Sequence, residues 1–357
     1  MRIKFVRINS IFLMQNVIDT STLKPLRIPD SAKERLNILF IAKNALWEGD
    51  VHPEDGNHAA YHREMREVLR TIGLNLTISQ THDILFDPPA GIDFVFPLLN
   101  RAGFFNSEML PPLLCERAGI PYLGANPILR GLSDDKHLAK RAAFDAGVPT
   151  APWAIYRKGA PVTQDKCPPA DRYVIKPNNS SASWGVEDAY SWEGVEAAVR
   201  RIHEDPANGG QDAIVEPFLD GSDVEVPVVT INGEPQILPM LIFRQADPSH
   251  LRTYYEKRDL VDRSQKYSLD PFENPQMRER IAQLTRICWE EYRPFDYGRF
   301  EFRVNEETGD IQFLELNLNC NLWSQKVFGR AAVMAGWTQE QLIETILAEG
   351  LARHGLL

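Results

Sequence analysis

At 357 residues the chain is longer than one typical domain of roughly 150, so two or three domains are expected. Its 39 basic and 49 acidic side chains leave a net charge of −10, which argues against a nucleic-acid or anionic-membrane partner, and a hydrophobic content of 43% is ordinary for a soluble globular protein. The four cysteines, Cys115, Cys167, Cys288 and Cys320, lie far apart without CxxC spacing and fit a reducing cytoplasm better than a disulfide framework or a zinc site.

Residues 1–35 open with MRIKFVRINSIFLMQNV, in which basic residues precede a short apolar patch. Asn9 and Ser10 interrupt that patch and no small-residue cleavage site follows, so the segment reads as an N-terminal extension and not a signal peptide. No run approaches the roughly 18 apolar residues of a membrane span. Leu36 to Ala42 is a β-rich run, and a polar loop covers Lys43 to Asn57. From Ala59 to Gly73 the apolar residues Met65, Val68, Leu69 and Ile72 recur at helical spacing. Ile92 to Leu99 suits a strand covered on both faces. Strand, helix and strand make residues 36–132 a small doubly wound domain, whose ligands would bind beyond the carboxyl ends of the strands. That puts the loops Lys43 to Asn57 and Asn100 to Glu108 at a substrate mouth.

A second domain is expected over 133–222. Ser133 reads as the cap of a helix that runs to Ala146–Gly147 and carries Lys140, which by itself suits a solvated face. Arg172 to Pro177 is a short strand ending in Lys176, followed by the polar loop Asn178 to Val186 with Ser183 and Gly185. Such a loop can fold N–H and hydroxyl donors over phosphate oxygens, though composition alone favours a Ser-rich surface turn. Ala213 to Asp223 is an apolar strand ending in Glu216, with Asp223 seven residues on; the pair can serve an adenine amine and ribose hydroxyls, or form a solvated hairpin.

The third domain, 223–357, begins with Val224 to Ile231 and the hairpin signal Asn232-Gly233. Helices are expected over Met277 to Tyr292 and Thr338 to His354, the latter with Thr338 and Gln341 as a capping box. Between them lies the stretch around which the chain is organised. Arg299 to Val304 alternates charged and apolar residues, which places Glu301 on a wet face; a turn follows over 306–310, and Ile311 to Asn317 alternates again. Glu315 and Asn317 share a face, and a hairpin can set them beside Glu301. Two carboxylates and an amide oxygen are hard ligands of the kind that Mg²⁺ takes while holding substrate phosphates. A surface hairpin with solvated acids is the competing reading, against which stands the polar tail Asn317-Leu318-Asn319-Cys320-Asn321.

Arg299-x-Glu301 and Glu315-x-Asn317 resemble the metal-binding end of the ATP-grasp ligases, in particular the D-alanine:D-alanine ligase family, with Glu301 in place of the usual Asp. Lys140, Lys176, Pro177, Ser183, Gly185, Glu216, Asp223 and Lys257 follow the family's order, so the resemblance covers about residues 36–350. It implies an α/β ATP-grasp fold of three domains: a small doubly wound N-terminal domain, a central lid domain, and a C-terminal α+β domain holding the metal hairpin. It further implies ATP with two Mg²⁺, Mn²⁺ being the alternative ion. A carboxylate would attack the γ-phosphate to give an acylphosphate, which an amine converts to an amide. Under the resemblance Lys140, Lys176 and Lys257 contact phosphates and Ser183 belongs to the phosphate loop. Glu216 and Asp223 take the adenine and ribose positions. Glu301, Glu315 and Asn317 hold metal, and Arg299 and Lys257 serve catalysis.

Departures cluster at the substrate end. The family's Ser-x-Glu-His-x-x-Ser signature finds no match in Asn44 to Asp50, nor its later Gly-rich acidic segment in Asn100 to Glu108. The tail after the metal Asn reads Cys320-Asn321-Leu322-Trp323-Ser324-Gln325-Lys326. Lys326, Ser324 and Arg101 are therefore candidate substrate contacts, and Lys326 suits a solvated helix residue equally well. The expectation is a carboxylate–amine ligase acting on small molecules other than two D-alanines, with a homodimer as the assembly to test for. A kinase-like phosphotransfer to a single acceptor and a nucleotide-binding module without catalysis are the other classes; the complete set of lysines and metal ligands argues against the latter.

Overall fold

A computed structural model describes residues 23–49, 52–99, 107–206, 210–251 and 267–357. Lys257 and Arg101 lie outside the described residues. Residues 23–35 pack against the C-terminal helix. Ile28 is buried, the Leu26 and Ile28 amides donate to Thr345 Oγ1 and Glu344 Oε1, and Lys33, on the short helix α1 (Asp30–Arg35), pairs with Glu344 at 2.7 Å.

β1 (Asn37–Ile41), α2 (His58–Ile72), β2 (Asn75–Ser79) and β3 (Phe94–Pro97) form a parallel sheet in the order β2-β1-β3. β1 and β3 are buried on both faces, as their unbroken apolar runs require. β2 escaped the sequence reading: it is an edge strand in which only Leu76 and Ile78 are apolar. α3 (Leu110–Ala118) and two helices in tandem, α4 (Pro127–Asp134) and α5 (Lys136–Asp145), follow. Ser133 is not the cap expected of it. Asn126 caps α4, Pro127 occupies its first turn, and Ser133 lies inside, with its hydroxyl on the Arg130 carbonyl. The cap of α5 is Asp135, whose carboxylate accepts from the Leu138 amide.

β4 (Ala154–Tyr156), β5 (Tyr173–Pro177), β6 (Glu187–Ala189), α6 (Trp192–Glu204) and β7 (Ala213–Pro217) build a four-stranded antiparallel sheet, β4-β7-β5-β6, with α6 laid across it. Its core is small: Val195, Val199 and Ile202 of α6 pack with Ile175, Ala213 and Val215. β8 (Ser222–Ile231), β9 (Glu234–Ile237), β10 (Leu241–Gln245), β11 (Tyr267–Pro271), α7 (Pro275–Tyr292), β12 (Tyr297–Asn305), β13 (Asp310–Asn317), α8 (Val327–Met334) and α9 (Gln339–Arg353) complete the chain. Their strands form an antiparallel sheet, β11-β10-β8-β12-β13, with β9 hairpinned onto β8 through Asn232 and Gly233 at positive φ. Ile281, Leu284 and Cys288 of α7 pack with Val226, Val228, Phe300 and Phe302 of this sheet.

The largest core joins the two ends of the chain. Phe40, Phe94 and Phe96 pack with Leu342, Ile346 and Leu347 of α9, whose start carries the expected Thr338–Gln341 capping box. The N-terminal sheet is thus covered by the last helix, and neither buries its apolar face without the other. Leu347→Ala, at a fully buried position, should cost about 2–5 kcal/mol of unfolding free energy in urea titration.

Candidate active site

β12 and β13 form the expected hairpin, with a bulge. Arg299 pairs with Asn317 and Glu301 with Glu315, after which the register shifts so that Phe302 faces Phe313. The extra residue, Leu314, lets Phe313 and Leu316 both reach the core although they are three apart, while Glu315 stays opposite Glu301. β8 flanks β12 on its other side and sets Glu225 opposite Glu301. Three carboxylates, Glu225, Glu301 and Glu315, therefore stand in one row across three strands.

The face carrying this row is not the wet surface that alternation predicts. Glu301 is 8% exposed and Glu225 3%. Asn317 Nδ2 donates to Glu301 Oε1 at 2.9 Å and to Glu315 Oε1 at 3.1 Å. Arg299 donates to Glu301 through Nη2, and its Nε lies 2.6 Å from Glu225 Oε2. Burial works against the arginine's charge, but Glu225 and Glu301 outweigh it and raise its pKa. Cys320 is buried beside this group, and its thiol is pushed up to about 12.

A second charged cluster is hung from the small sheet. Glu216 on β7 accepts from Lys140 Nζ of α5 at 2.7 Å and from Lys176 Nζ of β5 at 2.8 Å. Burial alone would raise the Glu216 pKa, but the two ammonium groups carry it down to about 2. Lys140, 1% exposed, has its pKa lowered by burial against the pull of Glu216. Lys176 is half-buried; desolvation opposes its charge, yet Glu216, helped by Glu315 and Asp223, raises its pKa. That coupling already ties the two clusters together.

The loop after β5 is conformationally constrained. Ala182 and Ser183 have φ of 54° and 60°, rare for residues with a Cβ, and Gly185 has φ 67° where a Cβ would come within 2.7 Å of Pro177. Lys136, first residue of α5, reaches under the loop to the Ser180 carbonyl. Lys136, Lys176, Ser183, Glu216, Asp223, Glu301 and Glu315 all line one cleft of about 1040 Å³, counting the space open to solvent. Asp223 pairs there with Arg303 at 2.8 Å.

Among the described residues no three His, Cys, Asp or Glu side chains form a self-contained metal cage. The donor set does fit Mg²⁺, which takes one or two carboxylates and leaves its other positions to phosphate oxygens and water. An amide nitrogen stands between Glu301 and Glu315; turned over, the same amide offers its oxygen beside both acids.

The sequence profile described as "D-ala D-ala ligase C-terminus" matches residues 143–348, more than half of the chain. The chain belongs to this D-alanine–D-alanine ligase family. It is 28% identical over 236 residues to the uncharacterized protein y4sG of Sinorhizobium fredii, covering 66% of this chain and 68% of that one. It is 26% identical over 282 residues to the D-alanine–D-alanine ligase of Maridesulfovibrio salexigens, covering 75% and 88%. The crystal structure of the Bacillus anthracis D-alanine–D-alanine ligase complexed with ATP superposes with a TM-score of 0.69 at 18% identity, over 90% of this chain and 99% of that one. The D-Ala:D-Ser ligase VanG of Enterococcus faecalis gives 0.68 at 15%, over 88% and 99%. The fold is ATP-grasp, and the chain is an ATP-grasp carboxylate–amine ligase.

Within this ligase most residues singled out in the sequence come together: Lys176, Ser183, Glu216, Asp223, Glu301 and Glu315 line the cleft, and Arg299 and Asn317 touch its acids. Lys140 does not reach it. It sits one turn below Lys136 on the inner side of α5, held by Glu216 with Trp153 5.3 Å away, and the lysine of α5 that lines the cleft is Lys136. Ser324 and Lys326 do not line the cleft either. Ser324 donates to Glu64 of α2 through both N and Oγ, and Lys326 lies over the Trp323 ring. Glu225, Lys136 and Glu64 went unassigned in the sequence; for Glu225 the signal was there, an acid inside the otherwise apolar run Val224 to Val229.

Since the Glu216 pKa is depressed in the folded state from 4.5 to about 2, its stabilising contribution is present above pH 4.5 and is lost as pH falls towards 2. The thermal midpoint of the wild type should drop through that window more steeply than that of Glu216→Gln. The variant itself should be destabilised at pH 7 by about 3–5 kcal/mol, because it leaves two lysines without their counter-charge.

Proposed function

We propose that this ligase activates a carboxylate with ATP and joins it to an amine, on a substrate pair other than two D-alanines. The observation that carries the reading is the single cleft in which Lys136 and Lys176 face Glu301, Glu315 and Asp223. A carboxylate attacking a polyanion must have its charge offset, and fixed cations in a water-poor cleft do so without reorganising.

In this reading Lys136 and Lys176 contact the phosphates, and the loop from Ser180 to Gly185 closes over them with its backbone donors. Glu216 meets the adenine amine while neutralising its lysines, and Asp223 meets the ribose. Glu301, Glu315 and Asn317 would hold Mg²⁺, two ions as the resemblance implies, whose chemistry is to offset charge on the transferred phosphoryl group. Arg299 steadies the oxyanion that forms when the acylphosphate is made or consumed. The acylphosphate must be shielded from water, which the small sheet and its loop can do by folding over the cleft. The division into an extension, a doubly wound domain, a lid and a C-terminal domain at about residues 36, 133 and 223 belongs to the same proposal.

What supports a different substrate pair is the region after the metal hairpin. Trp323 and Ser324 are bonded to Glu64, and Lys326 adds a positive charge beside them. A lysine ammonium in that place, over the Trp323 ring, suits an acid with more negative charge than D-alanine carries.

Phosphate release from ATP should require both an acid and an amine when substrate pairs are surveyed, and a D-alanine pair should be a poor substrate. Release with a single acceptor would point to phosphotransfer instead, and silence with every pair would remove the ligase reading. Glu315→Gln should lower turnover by at least about a hundredfold, the scale of losing a preorganised charge-stabilising group, with an unchanged melting temperature; retained activity would remove Glu315 from the metal site.

A further inference from the structure

Glu225 is the acid of the row that the assignment above does not use. It is 3% exposed and sits between Val224 and Val226, both fully buried, so its charge needs a permanent partner. Arg299 supplies it, and Arg299 is shared. Its Nε lies 2.6 Å from Glu225 Oε2, a charge contact whose N–H is not aligned on the oxygen, while Nη2 donates to Glu301 Oε1. That same Glu301 oxygen also accepts from Asn317.

Glu225, Glu301 and Glu315 set three carboxylates in one row, and Arg299 bridges two of them. A cation arriving between Glu301 and Glu315 meets Arg299 on Glu301, and two positive centres on one carboxylate oxygen repel. Arg299 can yield that oxygen and remain in the cleft only if another carboxylate keeps it. We propose that Glu225 is a positioning residue that retains Arg299 when Glu301 exchanges the guanidinium for a divalent cation. Glu301 thus serves the arginine before the metal arrives and the metal afterwards. The arginine, released from Glu301 and still anchored by Glu225, is then available to an anion of the reaction. The inference rests on the assignment of Glu301, Glu315 and Asn317 to a cation.

Mn²⁺ binding to the full chain in the presence of ADP, followed by loss of the free-ion electron paramagnetic resonance signal, tests it without turnover. Among the described residues, Glu225→Gln leaves Arg299 with Glu301 as its one carboxylate, so the Mn²⁺ dissociation constant should rise at least about tenfold, with Glu225→Asp in between. In a chain that already carries Arg299→Met, adding Glu225→Gln should change the constant by less than about twofold, since the residue it positions is gone. Melting temperatures establish that each variant is folded. Wild-type affinity in a folded Glu225→Gln variant would overturn the inference, as would equal weakening with and without Arg299, which would mean that Glu225 attracts the cation directly. Uptake abolished by Glu315→Gln yet untouched by Glu225→Gln overturns this inference alone. A wild type that takes up no Mn²⁺ overturns the metal assignment along with it.

Discussion

A carboxylate buried between two ammonium groups carries most of the architecture of this cleft. Glu216 comes from β7, Lys176 from the neighbouring β5, and Lys140 from α5, outside that small sheet. Removing Glu216 leaves the buried Lys140 ammonium without its counter-charge. α5 is in turn fixed to the large sheet's covering helix by the Tyr292 hydroxyl on the Ala139 carbonyl. Two cations against one anion leave this corner positive in a chain whose net charge is −10, and that local surplus lets an acidic protein accept a polyanion.

The opposite wall is negative for equally structural reasons. The bulge at Leu314 is what allows β13 to feed Phe313 and Leu316 into the core and still hold Glu315 against Glu301. Without the extra residue, period-2 alternation would send one of the two apolar side chains, or the acid, to the wrong face. Lys176 already feels Glu315 and Asp223 across the gap. A ligand carrying both anionic oxygens and a cation satisfies both walls at once, whereas a bare anion or a bare cation satisfies one and faces repulsion from the other. A nucleotide with its metal is the simplest such ligand, and this complementarity does not depend on kinship with any other protein.

The hairpin was legible because its signals are local: alternation, a turn rich in Gly and Asp, and two acids at fixed spacing. The same holds for α2, α7 and the Thr338 cap. Ser133 misled because a helix start signal cannot reveal that another helix, capped by Asn126, already runs through it. The resemblance puts Lys140 at a phosphate position, whereas Lys136, four residues earlier on the same face of α5, is the one that lines the cleft; depth along a helix is not written in the sequence. Glu225 was passed over because its meaning lies in register across strands, with Glu301 seventy-six residues on in sequence and directly opposite in space.

The substrate end is where sequence has least to say, because there the contacts are the most distant. Glu64 on α2 accepts from the Trp323 indole, the Ser324 amide and the Ser324 hydroxyl, and Tyr61 one turn earlier accepts from the Leu322 amide. The loop that leaves the β12–β13 hairpin is therefore shaped by a helix of the first sheet, more than 250 residues away in the chain. That helix is itself held by α9, which covers the same core. Substrate choice can then drift by changes in α2 and the loop while the hairpin, fixed by its bulge and its acid row, stays as it is. Under the proposed assignment, such a separation would let the nucleotide end stay constant while the region where two substrates meet changes.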